Sequence, residues 1–270
     1  MMRHLQSARR LESMRWTIGV ITLLGFVLFV AAIRASSALP TALLGQIPED
    51  RRAEVEGILA DPTFVRGLDL HALADVQVYA FLLDHPDVNA GLAQALDIAP
   101  YEVVRTGPGR YRGDDGNGNA GTIEIFGTAE QRVVMERGVS PGWWFGDIQG
   151  RVIALVGFSP TGEDLRASVK IWARIDHGLL DRLIRVVRPV LGGFLDRKLR
   201  EQFGIGLRVA AAARQAPGEF CPALASLPTG SPDEKQALAG LAQCRMDVAG
   251  RPQPDFGPAP MVNASAAVAR

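Results

Sequence analysis

Residues that bind metal ions are scarce in this chain of 270 residues, which has only two cysteines and four histidines. The histidines are His4, His71, His85 and His177. A tetrahedral zinc site needs four ligands at short spacings, and neither Cys221 nor Cys244 has a histidine near it in sequence. We therefore expect neither a metal ion nor any other cofactor.

Net charge is also absent, because 29 basic residues balance 29 acidic ones. The balance is uneven along the chain. Residues 1–34 contain five arginines and one glutamate, a net charge of +4, so the remainder carries −4. A protein that binds nucleic acid needs a basic surface for the phosphates. The sequence therefore predicts no nucleic-acid partner, and it does not identify a protein partner.

One long stretch contains no charge at all, the run WTIGVITLLGFVLFVAAI from Trp16 to Ile33. As a helix it would be about 27 Å long, close to the hydrocarbon thickness of a bilayer. The arginines before it favour a cytoplasmic N-terminus. We expect a cytoplasmic segment at 1–15 and a transmembrane helix, a signal anchor, at 16–34. The protein would then be a single-pass inner (plasma) membrane protein with a periplasmic or other extracytoplasmic domain.

A cleaved secretory signal is the alternative interpretation of the same run. The small residues Ala35, Ser36, Ser37 and Ala38 would suit a signal peptidase. The apolar cores of such signals are usually about 7–15 residues long, which is shorter than this run. The retained anchor is favoured, and both interpretations export the rest of the chain.

The two cysteines, Cys221 and Cys244, both follow this run and would enter an oxidising compartment. A lone pair of cysteines in an exported domain most simply forms a disulfide. The alternative is two buried free thiols, because free cysteine is among the most buried residue types.

The exported part divides into a linker at 35–48, an α+β domain at 49–250 and a disordered, Pro/Ala-rich tail at 251–270. Helices are predicted from about 49 to 59, from 72 to 83 and from Pro86 through Leu96. A long helix is predicted from about His177 to Gln215. Pro189 and the glycines at 192 and 193 should kink it.

Between these helices the apolar residues alternate with a period of two, which predicts short strands. The predicted strands are 101–105, 122–126, 132–137, 151–158 and 165–176. The last one places Val169 and Ile171 on an apolar side and Lys170 and Trp172 on the other. This pattern predicts an antiparallel sheet with one face exposed to solvent.

Two short motifs resemble chemical sites but lack an essential residue. GVSPG at 138–142 matches the G-x-S-x-G elbow of serine hydrolases, yet Pro141 has no N–H for an oxyanion. GDDGNGNAG at 113–121 begins like a calcium loop, but Ala120 and Phe126 replace its essential glycine and glutamate. A turn between strands at 138–142 and a hairpin turn at 113–121 are the favoured interpretations.

Three adjacent aromatic residues, Trp143, Trp144 and Phe145, form a further candidate site. They could contact the lipid interface or line the rim of an apolar cavity. A strand edge that buries alternate rings explains them equally well.

Over about Ala72 to Gln215, the order of helices, antiparallel sheet and long C-terminal helix resembles the START-like and polyketide-cyclase-like (helix-grip, SRPBCC) superfamily. This resemblance implies a cavity between the sheet and the long kinked helix that takes lipids or other apolar molecules. The residues expected to line it are Val133, Met135, Ile153, Leu155, Val169, Ile171, Leu191 and Phe194.

A solid core is the alternative to this cavity, as in most α+β domains. The chain would then be a non-enzymatic protein of the cell envelope that interacts through its surface or tail. We expect no enzymatic activity in either case, because no acid, base and nucleophile can be assembled from the sequence.

Overall fold

The computed structural model describes residue 39 and residues 41–116, 118–128, 130–142, 146–162 and 164–244. The chain forms two compact units, residues 1–45 and 46–270. The described part of the first unit contains helix α1, Thr41–Leu44, within the stretch where we expected a linker. The predicted transmembrane helix at 16–34 and the predicted tail at 251–270 lie outside the described residues. Of the helices that are described, none has both the length and the apolar character needed to cross a membrane.

The described residues of the second unit fold into six helices and seven strands. In chain order they are α2 Glu49–Ala60, β1 Phe64–Ala72, α3 Val76–Asp84, α4 Pro86–Ala95, β2 Glu102–Gly107, β3 Arg110–Asp114, β4 Ala120–Gly127, β5 Gln131–Gly142, β6 Gly146–Thr161, β7 Asp164–Ile175, α5 Gly178–Gln215, α6 Pro217–Ser226 and α7 Pro232–Leu241. The strands make one antiparallel sheet in the order β1-β7-β6-β5-β4-β3-β2. The predicted α+β class is confirmed.

Strand β1 was not predicted, and its presence shortens the helix predicted at 72–83. Leu68 and Leu70 are buried and alternate with exposed residues, which is the period of a strand. Helix α3 begins only at Val76, where the carboxylate of Asp75 accepts hydrogen bonds from two backbone N–H groups of the first turn. The helices predicted from 49 and from Pro86 are confirmed.

The two motif segments lie in the sheet. Residues 113–121 form the predicted hairpin between β3 and β4, where Asp114 accepts a hydrogen bond from the backbone N–H of Gly116 at 2.8 Å. Residues 138–142 are the last part of strand β5, so the turn predicted there is wrong. No group of three or more potential metal ligands occurs in the described part of the chain.

We call the face of the sheet that carries Val169 and Ile171 the inner face. Helices α3, α4, α6 and α7 and the second half of α5 pack on it and form the main hydrophobic core with these strand residues. Leu207 and Val209 of α5 are buried there. The fully buried side chains of this core include Tyr79, Leu82, Leu92, Val156, Phe220 and Leu224.

The opposite, outer face is exposed to solvent only in part, because helix α2 covers a portion of β6 and β7, whereas Arg166 and Ser168 of β7 are exposed as predicted. Trp172 points to this face and is fully buried. Val55 and Ile58 of α2 are also fully buried. Buried Glu124 on strand β4 accepts a hydrogen bond from the Arg51 guanidinium at 3.0 Å, which links α2 to the sheet.

Helix α5 runs without interruption from Gly178 to Gln215. The kink expected at Pro189 and the two glycines is not tested and stays a prediction. Contacts with the chain around β1 fix its first half. Asp181 accepts a hydrogen bond from Thr63, Arg185 pairs with Asp61 at 3.0 Å, and Asp196 lies 3.1 Å from the guanidinium Nε of Arg66. The first half of the helix therefore lies against β1, at one edge of the sheet.

The predicted disulfide between Cys221 and Cys244 is confirmed, with the two Cα atoms 5.6 Å apart. It joins α6 to the residues that follow α7. Both helices contribute to the main core, through Phe220 and Leu238 among others. The cross-link therefore closes the segment that carries the last two helices over the core.

Candidate functional site

Four glycines form a continuous row across the inner face of the sheet. Residues directly opposite each other in an antiparallel pair point to the same face, so the pairing defines rows of side chains. One such row is Val103, Gly113, Gly121, Gly138, Gly150 and Ile175. We call its four glycines the glycine row. Four neighbouring strands thus carry no side chain at the same level of the sheet.

Two of these glycines could carry a Cβ atom without a clash. A Cβ atom added to Gly138 would have its nearest neighbour at 3.8 Å, and one added to Gly150 at 3.6 Å. In both cases the neighbour is a backbone carbonyl oxygen of an adjacent strand and not an atom of a helix. Within the described part of the chain, no helical side chain therefore comes within 4 Å of these two Cβ positions.

Gly121 is required for a different reason. A Cβ atom there would come within 2.6 Å of the carbonyl oxygen of Arg137 on the neighbouring strand. Such a contact is shorter than van der Waals radii allow, so only glycine permits the strands to approach here. The row thus combines a steric need at Gly121 with room for a Cβ atom at Gly138 and Gly150.

The neighbouring row places a carboxylic acid in apolar surroundings. Its members are Arg105, Tyr111, Ile123, Glu136, Val152, Ala173 and Phe64. Ile123 and Val152 flank the half-buried side chain of Glu136. Among the described residues, no hydrogen bond or ion pair engages its carboxylate. Burial raises the pKa of Glu136, because apolar neighbours disfavour the charged form.

Further along the sheet the inner face is solidly packed on β6 and β7, whereas Ile125, Gly127 and Arg132 on β4 and β5 line a small pocket. Ala154 and Ile171 are almost fully buried in the third row, and Val156 and Val169 in the fourth. The residues of the glycine row, by contrast, are only half-buried at Gly121, Gly138 and Gly150. We call the space over the glycine row and Glu136 the groove. It lies at the end of the sheet where β7 leads into α5.

The predicted cavity residues do not lie together. Val169 and Ile171 are on the inner face, where they belong to the solid core. Four others point to the outer face, which α2 covers: Val133, Met135, Ile153 and Leu155. Strand periodicity shows which residues share a face but not which face meets a particular helix. The prediction that all six line one cavity is therefore wrong.

The remaining predicted residues lie on or near the first half of α5 and the β5–β6 connection. Phe194 is 57% exposed, and the guanidinium of Arg197 lies 5.5 Å from its ring centre. For Leu191 the structure describes only the helical backbone. The three aromatics at 143–145 lie outside the described residues, and their role stays a prediction.

Replacing Glu136 with glutamine is expected to stabilise the folded protein at high pH. Because its pKa is raised by folding, the folded state binds this proton more tightly than the unfolded chain does. The contribution of Glu136 to stability is therefore present at low pH and is lost as pH rises through its raised pKa. Glutamine cannot ionise. The variant should be more stable than the wild type at about pH 8 and equally stable at about pH 4.

Urea denaturation at several pH values measures this difference between variant and wild type. Glu56→Gln is the matched control, because Glu56 lies exposed on α2 and its replacement removes the same charge far from the groove. If the free energy of unfolding of Glu136→Gln differed from that of the wild type by the same amount at every pH, Glu136 would not be desolvated.

The structure resembles several solved structures at low sequence identity. A START superfamily protein from Mycobacterium smegmatis matches with a TM-score of 0.31 and 11% identity, over 51% of this chain and 98% of that one. Norcoclaurine synthase from Thalictrum flavum, solved with dopamine and hydroxybenzaldehyde, matches with a TM-score of 0.33 and 13% identity, over 54% and 85%. The di-domain ARO/CYC BexL from the BE-7585A biosynthetic pathway matches with a TM-score of 0.36 and 14% identity, over 60% and 55%.

These matches bear on two expectations from the sequence, the absence of enzymatic activity and the similarity in fold. One of these similar structures is a synthase, so the expectation that this chain has no enzymatic activity is withdrawn. No protein-family model matches the chain, and no curated protein matches it. The TM-scores are all below 0.5, so the matches carry no argument about a ligand. The predicted similarity to START superfamily and ARO/CYC structures is confirmed.

Proposed function

We propose that this domain binds an apolar ligand in the groove, with one polar group of the ligand placed at Glu136. The observation that carries this proposal is the half-buried row of glycines, where a Cβ atom on Gly138 or Gly150 would contact only backbone. Folded interiors are usually packed without voids larger than a water molecule, as the inner face of β6 and β7 is further along the sheet. A groove that is floored by backbone and flanked by Ile123 and Val152 suits an apolar surface.

The acid in the groove defines the polar part of the ligand. A carboxyl group with a raised pKa is more readily protonated, and in that form it donates a hydrogen bond to an oxygen acceptor. The proposed ligand class is therefore an elongated apolar molecule with a single carbonyl or hydroxyl group. Binding such a group would satisfy the side chain of Glu136, for which the described residues supply no partner.

Location at a membrane is part of the same proposal. The uncharged run at 16–33 and the arginines before it support an anchor in the inner membrane with the domain on the extracytoplasmic side. A tethered domain meets apolar molecules where they are concentrated, in the bilayer.

Titration with an apolar fluorophore, N-phenyl-1-naphthylamine, tests ligand binding. The wild-type protein should bind one fluorophore per chain, and long-chain alcohols or ketones should displace it. Alkanes of the same length should compete more weakly, because they offer no oxygen to Glu136. Absence of saturable binding would contradict the proposal.

The proposed topology gives a separate expected result. A reporter fused after Arg270 should be active only outside the cytoplasm, and the protein should remain in the membrane fraction after an alkaline wash. Release into the soluble fraction with a mature N-terminus near residue 39 would show that the run is a cleaved signal. A reporter that is active in the cytoplasm would contradict export altogether.

A further inference from the structure

The first half of helix α5 exposes a stripe of large apolar residues. Leu179 is 71% exposed, Leu183 49%, Val186 76% and Phe194 57%. At 100° per residue, these four positions fall within about 80° of the helix circumference. We call them the α5 stripe. The second half of the same helix buries its apolar residues in the core, so the exposure is specific to the first half.

The stripe lies on a different side of α5 from the residues that contact the β1 region. Arg185 and Asp196 bind residues of the β1 region, Asp61 and Arg66 respectively. These two helix positions lie about 100–140° away from the middle of the stripe. The contacts that fix the helix against β1 therefore leave the stripe exposed among the described residues.

The same helical segment is the basic part of an otherwise acidic domain. Residues 178–200 contain six basic and two acidic side chains, a net charge of +4. The basic ones are Arg182, Arg185, Arg188, Arg197, Lys198 and Arg200. The chain after residue 34 carries −4 in total, so its other residues carry −8. The basic charge is thus concentrated on the helix that exposes the stripe.

We propose that the α5 stripe docks on the surface of a bilayer that contains anionic lipid. Exposed leucine, valine and phenylalanine on one side of a helix that is rich in arginine are the features of a helix that lies in the interface. The apolar side chains would enter the boundary between headgroups and acyl chains. Arg182 and Arg197, which lie within about 80° of the middle of the stripe, would lie at the level of the lipid phosphates.

Because the segment around the α5 stripe is positively charged, we infer that the stripe binds lipid and not a second copy of the chain. A second copy of the chain would bring another basic helix towards the first, and the two would repel each other. An anionic lipid surface attracts both the arginines and the apolar stripe. The proposed docking does not depend on a ligand in the groove, because the stripe and the glycine row share no residue.

A spin label at position 183 tests the proposal in the full-length chain. The native cysteines form a disulfide, so Leu183→Cys provides a single site for a nitroxide. The protein is reconstituted into vesicles of phosphatidylcholine alone or of phosphatidylcholine mixed with phosphatidylglycerol. Relaxation by oxygen, which concentrates in the bilayer, is compared with relaxation by a water-soluble nickel complex. Val104→Cys is the control, since Val104 is also half-exposed but lies on β2 at the other edge of the sheet.

In mixed vesicles the label at 183 should change from nickel-dominated to oxygen-dominated relaxation, and the label at 104 should stay nickel-dominated. Adding Arg182→Glu should weaken the docking by about tenfold or more, because it reverses one charge at the lipid surface. A label at 183 that meets the nickel complex equally in both vesicles would overturn the proposal. So would a label shielded from both relaxants in detergent, since a protein surface would then cover the stripe.

Discussion

Replacing both Cys221 and Cys244 with alanine is expected to lower the free energy of unfolding by about 3 kcal/mol. The disulfide spans 23 residues, and by loop entropy a cross-link of this length stabilises a fold by roughly that amount. This decrease should be a large fraction of the total free energy of unfolding, because domains are commonly stable by only about 5–15 kcal/mol. The second half of α6 and the whole of α7 lie inside the closed segment, and the buried residues Leu224 and Leu238 belong to it.

Urea denaturation of wild type and double variant, with and without reductant, measures this effect. Reductant should destabilise the wild type by the same amount and leave the variant unchanged. Equal stability of the two proteins without reductant would contradict a stabilising disulfide. Replacing both cysteines avoids the complication of one remaining free thiol.

Filling the groove at Gly138 is expected to abolish ligand binding without unfolding the domain. A Cβ atom fits there, since its nearest neighbour would be 3.8 Å away. The proposed groove would also provide room for the rest of a leucine side chain. Gly138→Leu should reduce the affinity for N-phenyl-1-naphthylamine by about a hundredfold or more, since the side chain would occupy the ligand's position. Its stability should change by less than about 1 kcal/mol, because no packed atoms are displaced.

Gly121→Ala is the matched control in the same row. Its Cβ atom would meet the carbonyl oxygen of Arg137 at 2.6 Å, so the strands would have to separate. This smaller substitution should destabilise the protein by about 1–3 kcal/mol. If Gly138→Leu is destabilised as strongly as Gly121→Ala, the space over Gly138 is filled by protein. That result would contradict a groove over the glycine row.

Local sequence signals predicted most helices and strands. Pro86 at the start of α4 and the alternation through β7 each determine a local structure that the tertiary fold leaves unchanged. Strand β1 had the same signal, since Leu68 and Leu70 alternate with polar residues. Its pairing partner β7 lies about a hundred residues away in the chain, so a strand there was not recognised.

The site could not be predicted because it depends on register. Each glycine of the row looks like an ordinary strand or turn residue, and only the pairing of four strands places them side by side. Glu136 likewise looks like an ordinary polar strand residue, and only the pairing places it between Ile123 and Val152. That helix α2 covers the outer face could not be predicted either, and its position makes Val133 and Met135 part of a packed layer and not of the groove.

Mass spectrometry of organic extracts from the purified protein tests the central claim most directly. The wild type should release an apolar molecule that carries one oxygen function, in an amount close to one per chain. Gly138→Leu, purified from the same cells in parallel, should release little or none of it while remaining folded. An empty wild-type extract, or equal amounts of the same molecule from both proteins, would contradict a ligand in the groove over the glycine row.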